Sequence, residues 1–140
     1  MDKFFEPQLI EFPKIEDPRG NLSFIENGNK LPFEIERVYW TYDIPSWRER
    51  SGRALRTCGE VVIATSGQFT VTLDFGNGEE KRYILNRSNI GLYTPPMTWR
   101  TISDFVTGST CLVLASKLFD ESDYILEYQQ FKSALSDELI

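Results

Sequence analysis

Histidine is absent from all 140 residues. It is the side chain whose ordinary pKa lies nearest neutrality and a very common metal ligand, so any proton transfer or metal site here must be built from other groups. Cysteine is scarce: Cys58 and Cys111 are the only two. Two isolated thiols cannot close a four-ligand zinc site. They are expected to stay reduced, as in a cytoplasmic protein, rather than form a Cys58–Cys111 disulfide. No apolar run approaches the ~20 residues that cross a bilayer, so no membrane association is expected. The opening MDKFFEPQLIEFPK has no apolar core of a secretion signal. Basic runs are missing too. Lys and Arg number 15 against 21 Asp and Glu, for a net charge of -6, and a nucleic-acid partner is not expected.

What is present is strand-forming. Aromatics make up 14% and hydrophobic residues 41% of a length that suits one domain with one core, residues 1–140. Asp17-Pro18-Arg19-Gly20-Asn21 is a turn entering Leu22 to Glu26. Ile35 to Asp43 reads as a strand with Ile35, Arg37, Tyr39 and Thr41 on one face. Residues 44–52 read as a polar loop. Glu60–Ala64 and Gln68–Phe75 follow, joined at Ser66-Gly67, with Phe69, Val71, Leu73 and Phe75 on one side. Gly76-Asn77-Gly78 predicts a hairpin to Lys81–Leu85. Asn89–Thr94, Trp99–Phe105 and Thr110–Ser116 complete the series. Many short strands with glycine-rich turns predict an all-β sandwich or barrel over about residues 8–119. The tail, about 121–136, reads as one helix, with Asp120 and Asp123 in capping-box spacing and Tyr124, Ile125, Tyr128, Phe131 and Leu135 at helical spacing. Gln68–Phe75, flat and half apolar, is the strand expected to support subunit pairing.

One spacing is distinctive. Arg53-Ala54-Leu55 is followed by Glu60 and then Gly67, and Pro95-Pro96-Met97-Thr98-Trp99-Arg100 comes later. The pattern resembles the two motifs of cupin barrels (H-x-H with a glutamate and a glycine, then P-x-G-x-x-H), with Arg53, Leu55 and Arg100 at the histidine positions. Asp17-Pro18-Arg19-Gly20-Asn21-Leu22, Phe33 to Tyr39, Gly91-Leu92-Tyr93, Val113 to Ser116 and Asp120-Glu121-Ser122-Asp123-Tyr124-Ile125 extend the likeness over roughly residues 8–132. They resemble the WxcM-like cupins that isomerise dTDP-4-oxo-6-deoxyhexoses. The resemblance implies a cupin jelly-roll (double-stranded β-helix) with a C-terminal helix, no metal and no cofactor. It also implies a dTDP-linked keto-sugar ligand used in surface-glycan synthesis, and a homodimer. In such enzymes an H-A-H segment handles the protons.

Moving a ketone between neighbouring carbons needs a proton taken from one and returned to the other. Arginine stays protonated and leucine has no proton to give. Glu60 and Tyr39 are therefore the candidate catalytic groups, with Tyr93 as a possible relay. Cys58 is placed on the opposite face by alternation. Arg53 and Arg100 are candidate substrate-binding residues in an anion-binding cavity, or else pair with Glu60 and Asp104 in a buried ion network. Arg50 and Arg56 flank the motif, either against a pyrophosphate or as solvated charges. Tyr93 and Trp99 are candidates for stacking on a sugar or base, or for core packing. The alternatives to an isomerase are a non-catalytic cupin that binds a nucleotide sugar or other anion, or partners an active enzyme, and an enzyme acting on a related acidic sugar.

Overall fold

The computed structural model describes residues 5–28, 30–45 and 50–138, the side chains of Arg50, Ser51 and Glu138 excepted. Two five-stranded sheets form the body. The first runs, edge to edge, through β1 (Gln8–Glu11), β9 (Ile90–Thr94), β6 (Glu60–Ser66), β11 (Thr110–Ala115) and β4 (Arg37–Thr41). The second runs through β12 (Tyr124–Ile125), β5 (Arg50–Leu55), β10 (Trp99–Ser103), β7 (Phe69–Asp74) and β8 (Glu80–Leu85). All of these pairings are antiparallel. A two-stranded ribbon of β2 (Lys14–Ile15) and β3 (Leu22–Ser23) completes the set. This is the expected cupin-like jelly-roll.

Period-two alternation explains the packing. Phe69, Val71 and Leu73 of β7 meet Val62 and Ala64 of β6, Leu92 of β9 and Val113 of β11 between the sheets. The in-between residues of the first sheet, Val61, Ile63, Tyr93 and Leu114, face the other way. They are covered by Ile10, Phe12, Leu31 and Phe33 from the N-terminal segment. The glycine hairpin forms as expected, with Gly76 and Gly78 at positive φ and Asp74 opposite Glu80.

Three boundaries differ from the sequence reading. The segment read as a loop over 44–52 already enters β5 at Arg50, because β5 pairs with β10 on one side and β12 on the other. Gln68–Phe75 is no edge: β7 lies between β10 and β8, and its hydrogen bonds are taken. The tail is not one helix. Glu121–Asp123 is a 3-10 turn capped by Asp120, and Tyr124 and Ile125 form β12 opposite Leu55 and Ala54. The α-helix α1 begins only at Tyr128 and ends at Glu138. Asp123 does not cap a helix. Its carboxylate accepts from Thr57 N at 2.9 Å, Thr57 Oγ1 at 2.8 Å and Cys58 N at 3.2 Å, fixing the turn after β5. Tertiary partners outweigh helical periodicity here: Ile125, 1% exposed, packs with Ala54 and Phe131. Among the described residues no helix is long and apolar enough to cross a membrane.

Candidate active site

Strand alternation on β5 sends Arg53 and Leu55 inward and Ala54 outward under α1. The register of β5 on β10 puts Arg53 directly opposite Arg100. Glu60 opens β6, and Tyr39 sits at the middle of β4, across β11. These four side chains converge. Tyr39 Oη donates to Glu60 Oε2, and Arg53 Nη2 donates to Tyr39 Oη. Arg53 Nη2 lies 3.6 Å from Glu60 Oε2, and Arg100 Nη2 lies 3.2 Å from Glu60 Oε1. Glu60 is 2% and Arg100 6% exposed. The Arg53 side chain, 21% exposed, borders solvent. Both oxygens of the carboxylate are therefore engaged.

Two cavities flank the arginines. The smaller, about 10 Å³, is lined by Arg53, Leu55, Cys58, Glu60, Thr94 and Arg100, with Pro95 and Thr98. The larger, about 40 Å³, is bounded by Arg53 and Arg100 with Tyr39, Thr41, Ile102 and Phe105, and by Cys111 and Val113. A buried water needs ~10–15 Å³. The smaller cavity is thus one water in size, and the larger a few.

Burial pushes the Tyr39 phenol well above its ordinary value; Arg100 and Arg53 pull it back only partly, while the Glu60 charge adds to the rise. Burial alone would lower Arg100, but the Glu60 carboxylate overcomes it and leaves the guanidinium more firmly charged than usual. The Tyr39 shift carries a linkage consequence. A folded pKa above the unfolded one, ~10 for tyrosine, means Tyr39 contributes full stability below that pH. The contribution is lost as pH rises toward the folded value. Above ~pH 10 the melting temperature of the wild type should fall more steeply than that of Tyr39→Phe. Parallel curves would exclude the shift.

A column of cations and rings extends outward from this cluster. The Arg37 guanidinium lies 5.1 Å from the Tyr39 ring centre and 5.6 Å from that of Phe119. Arg53 lies 5.7 Å from the Tyr39 ring and 5.2 Å from the Tyr124 ring. Arg37 Nη2 donates to Tyr124 Oη at 3.2 Å. The sequence reading put Arg37 on the Tyr39 face but gave it no partners. Tyr124 is hidden in a sequence reading that makes the tail one helix, and Phe119 lies just before that segment with no local signal of its own.

The other sequence candidates fall elsewhere. Tyr93 is fully buried on the outer side of the first sheet, its ring 6.2 Å from Phe33, so it lines neither cavity. Its neighbour Thr94 does instead. Trp99 points out of the second sheet under α1, 5.4 Å from the Tyr128 ring and 5.8 Å from Phe131. A β-carbon on Gly52 would meet its indole at 2.4 Å, so that face is packed shut. Strand parity explains both: Leu92 and Arg100, one residue away, take the inward places. Arg56 is exposed on the turn after β5. The side chain of Arg50 lies outside the described residues. Asp104 is exposed and shows no contact with the network, where among the described residues Glu60 alone answers the arginines. Cys58 is not turned away: the chain bends between Leu55 and Glu60, alternation lapses, and Cys58 shares the smaller cavity with Arg53 and Leu55. Burial, then the Glu60 charge, raise its thiol above the ordinary range. Both cysteines are buried thiols. Among the described residues no group of three or more Cys, Asp or Glu side chains is placed to hold a metal ion.

Residues 5–136 match the family described as FdtA: WxcM-like, C-terminal. The chain is 36% identical over 131 residues, 94% of each protein, to the TDP-4-oxo-6-deoxy-alpha-D-glucose-3,4-oxoisomerase of Aneurinibacillus thermoaerophilus. Its fold superimposes with a TM-score of 0.90 on a mutant of the 3,4-ketoisomerase QdtA from Thermoanaerobacterium thermosaccharolyticum, in complex with TDP-4-keto-6-deoxyglucose. That pair is 33% identical, covering 98% of this chain and 99% of the other. The WlaRB TDP-quinovose 3,4-ketoisomerase of Campylobacter jejuni is 34% identical, covering 93% and 99%, with a TM-score of 0.86.

Proposed function

The chain belongs to the FdtA, WxcM-like C-terminal family, and from that membership we propose that it is a nucleotide-sugar 3,4-ketoisomerase-type protein. Its ligand is a dTDP-linked 4-keto-6-deoxyhexose on the route to surface-glycan sugars. The carrying observation is the convergence of Tyr39, Arg53, Glu60 and Arg100 inside the barrel of a chain similar to such isomerases over nearly its full length. In this reading a proton leaves C3 of the sugar, the charge spreads onto an enediolate, and a proton returns at C4. Arg53 and Arg100 stabilise the enediolate oxygens. Tyr39, held protonated, supplies the proton, and Glu60 accepts one. Neither cavity holds a sugar ring as it stands, so entry requires Arg53, whose side chain borders solvent, to swing aside. The reaction runs without a metal, because arginine and leucine at the former ligand positions leave one carboxylate.

A second reading is binding without turnover. Leu55 and the double engagement of Glu60 favour it, since among the described residues no unengaged carboxylate lines either cavity. One experiment separates the two. dTDP should raise the melting temperature, and dTDP-4-keto-6-deoxyglucose in heavy water should exchange its C3 proton. Binding without exchange favours the module. Neither binding nor exchange removes the nucleotide-sugar reading.

The proposal includes a cytoplasmic homodimer. Val38 and Trp40 on edge strand β4 and Tyr42 just beyond it lie 46%, 57% and 61% exposed, an apolar strip suited to a second copy. Light scattering should give about twice the 16.2 kDa chain mass; a monomer at micromolar concentration would remove it.

A further inference from the structure

The arginine pair carries more positive charge than the barrel answers. Arg53 and Arg100 share one carboxylate, Glu60, and neither has another ion-pair partner among the described residues. One positive charge has no answering carboxylate, in a pair of which Arg53 borders solvent but Arg100 is buried, and a buried cation without compensation is unfavourable. Arg100 shows where. Its Nη2 is on Glu60, but its Nη1, fully buried, has no hydrogen-bond partner among the described residues. The two arginines line both cavities, yet Glu60 lines only the smaller. The larger one is lined by both arginines with Tyr39 and Thr41, and by Ile102, Phe105, Cys111 and Val113, without a carboxylate. Its volume of about 40 Å³ excludes a sugar or a phosphate ester and admits a monatomic anion.

We propose that this larger cavity is a binding site for a small monovalent anion of the halide class, held by Arg100 and Arg53 with the Thr41 hydroxyl as a further donor. Charge-assisted donors beside apolar walls favour such an ion. The chain's net charge of -6 makes the site a local exception that long-range attraction does not explain.

The test needs no nucleotide and so stands apart from the isomerase reading. Melting is followed in sodium chloride against sodium gluconate at equal ionic strength, gluconate being too large to enter. Chloride should give a saturable rise of about 9 °C at ~100-fold over its Kd, and Arg100→Gln should abolish it. Thr41→Val, which keeps the charges, should weaken the effect about tenfold and decides the matter if Arg100→Gln does not fold. Crystals grown in bromide should show an anomalous peak between Arg53, Arg100 and Thr41. Equal melting in both salts, or bromide only at the surface, would overturn the proposal.

Discussion

Glu60→Gln should destabilise the fold by about 3–5 kcal/mol, the largest effect expected of any single polar substitution in the chain. Glu60 is 2% exposed and, among the described residues, is the only acid paired with Arg53 and Arg100. Its amide replacement keeps the volume and loses the charge. Arg100, 6% exposed, cannot reach water without dragging β10 with it, so its charge stays buried and unanswered. Arg53 at the border is freer to turn outward. The remedy identifies the cause: adding Arg100→Met to Glu60→Gln should recover most of the loss, because the buried cation is gone and the methionine fills the space. Urea denaturation of the single and double variants measures both steps. If Glu60→Gln alone melts within ~1 kcal/mol of the wild type, the cluster is not the electrostatic keystone its geometry describes.

The second large effect concerns proton transfer. Arg53 and Leu55 both line the smaller cavity beside Glu60, at the positions where the resemblance puts imidazoles. Arg53→His with Leu55→His installs two groups that titrate near neutrality, within the same walls. A positioned general base contributes ~10²–10⁴-fold. C3 proton exchange on dTDP-4-keto-6-deoxyglucose should rise by that order over the wild type, followed by proton NMR in heavy water. The paired change also relieves the surplus positive charge, which offsets part of the cost of an imidazole where Leu55 packs against Cys58 and Ala115. An unchanged exchange rate in a variant that still binds dTDP would show that the scaffold no longer presents the sugar carbons to residues 53 and 55.

Much of this architecture was readable before any coordinates, for reasons that can be named. Alternation in Phe69–Asp74 and the Gly76-Asn77-Gly78 turn are local signals, and both the strand and its hairpin form where they point. The same parity rule placed Arg37, Tyr39 and Thr41 on the inner face of β4. It was not applied to Tyr93 and Trp99, whose neighbours Leu92 and Arg100 hold the inward places. Cys58 was misplaced by parity itself, carried across a bend where it no longer applies. The tail failed for a different reason. Tyr124 and Ile125 satisfy a helical repeat, but the open edge of β5 offers them a ladder that no local propensity records. Asp123 then serves the chain at Thr57 and Cys58, a contact spanning more than sixty residues.

That tail ties the far end of the chain to the chemistry. β12 pairs Ile125 with Ala54, the residue held between Arg53 and Leu55, and Phe131 of α1 closes over the same alanine. Tyr128 anchors α1 to Asp74 at 3.0 Å, clamping β7 as well. The carboxyl terminus thus works as a splint for the arginine strand, and whatever is fused or trimmed there is felt at the two guanidinium groups rather than at a remote surface.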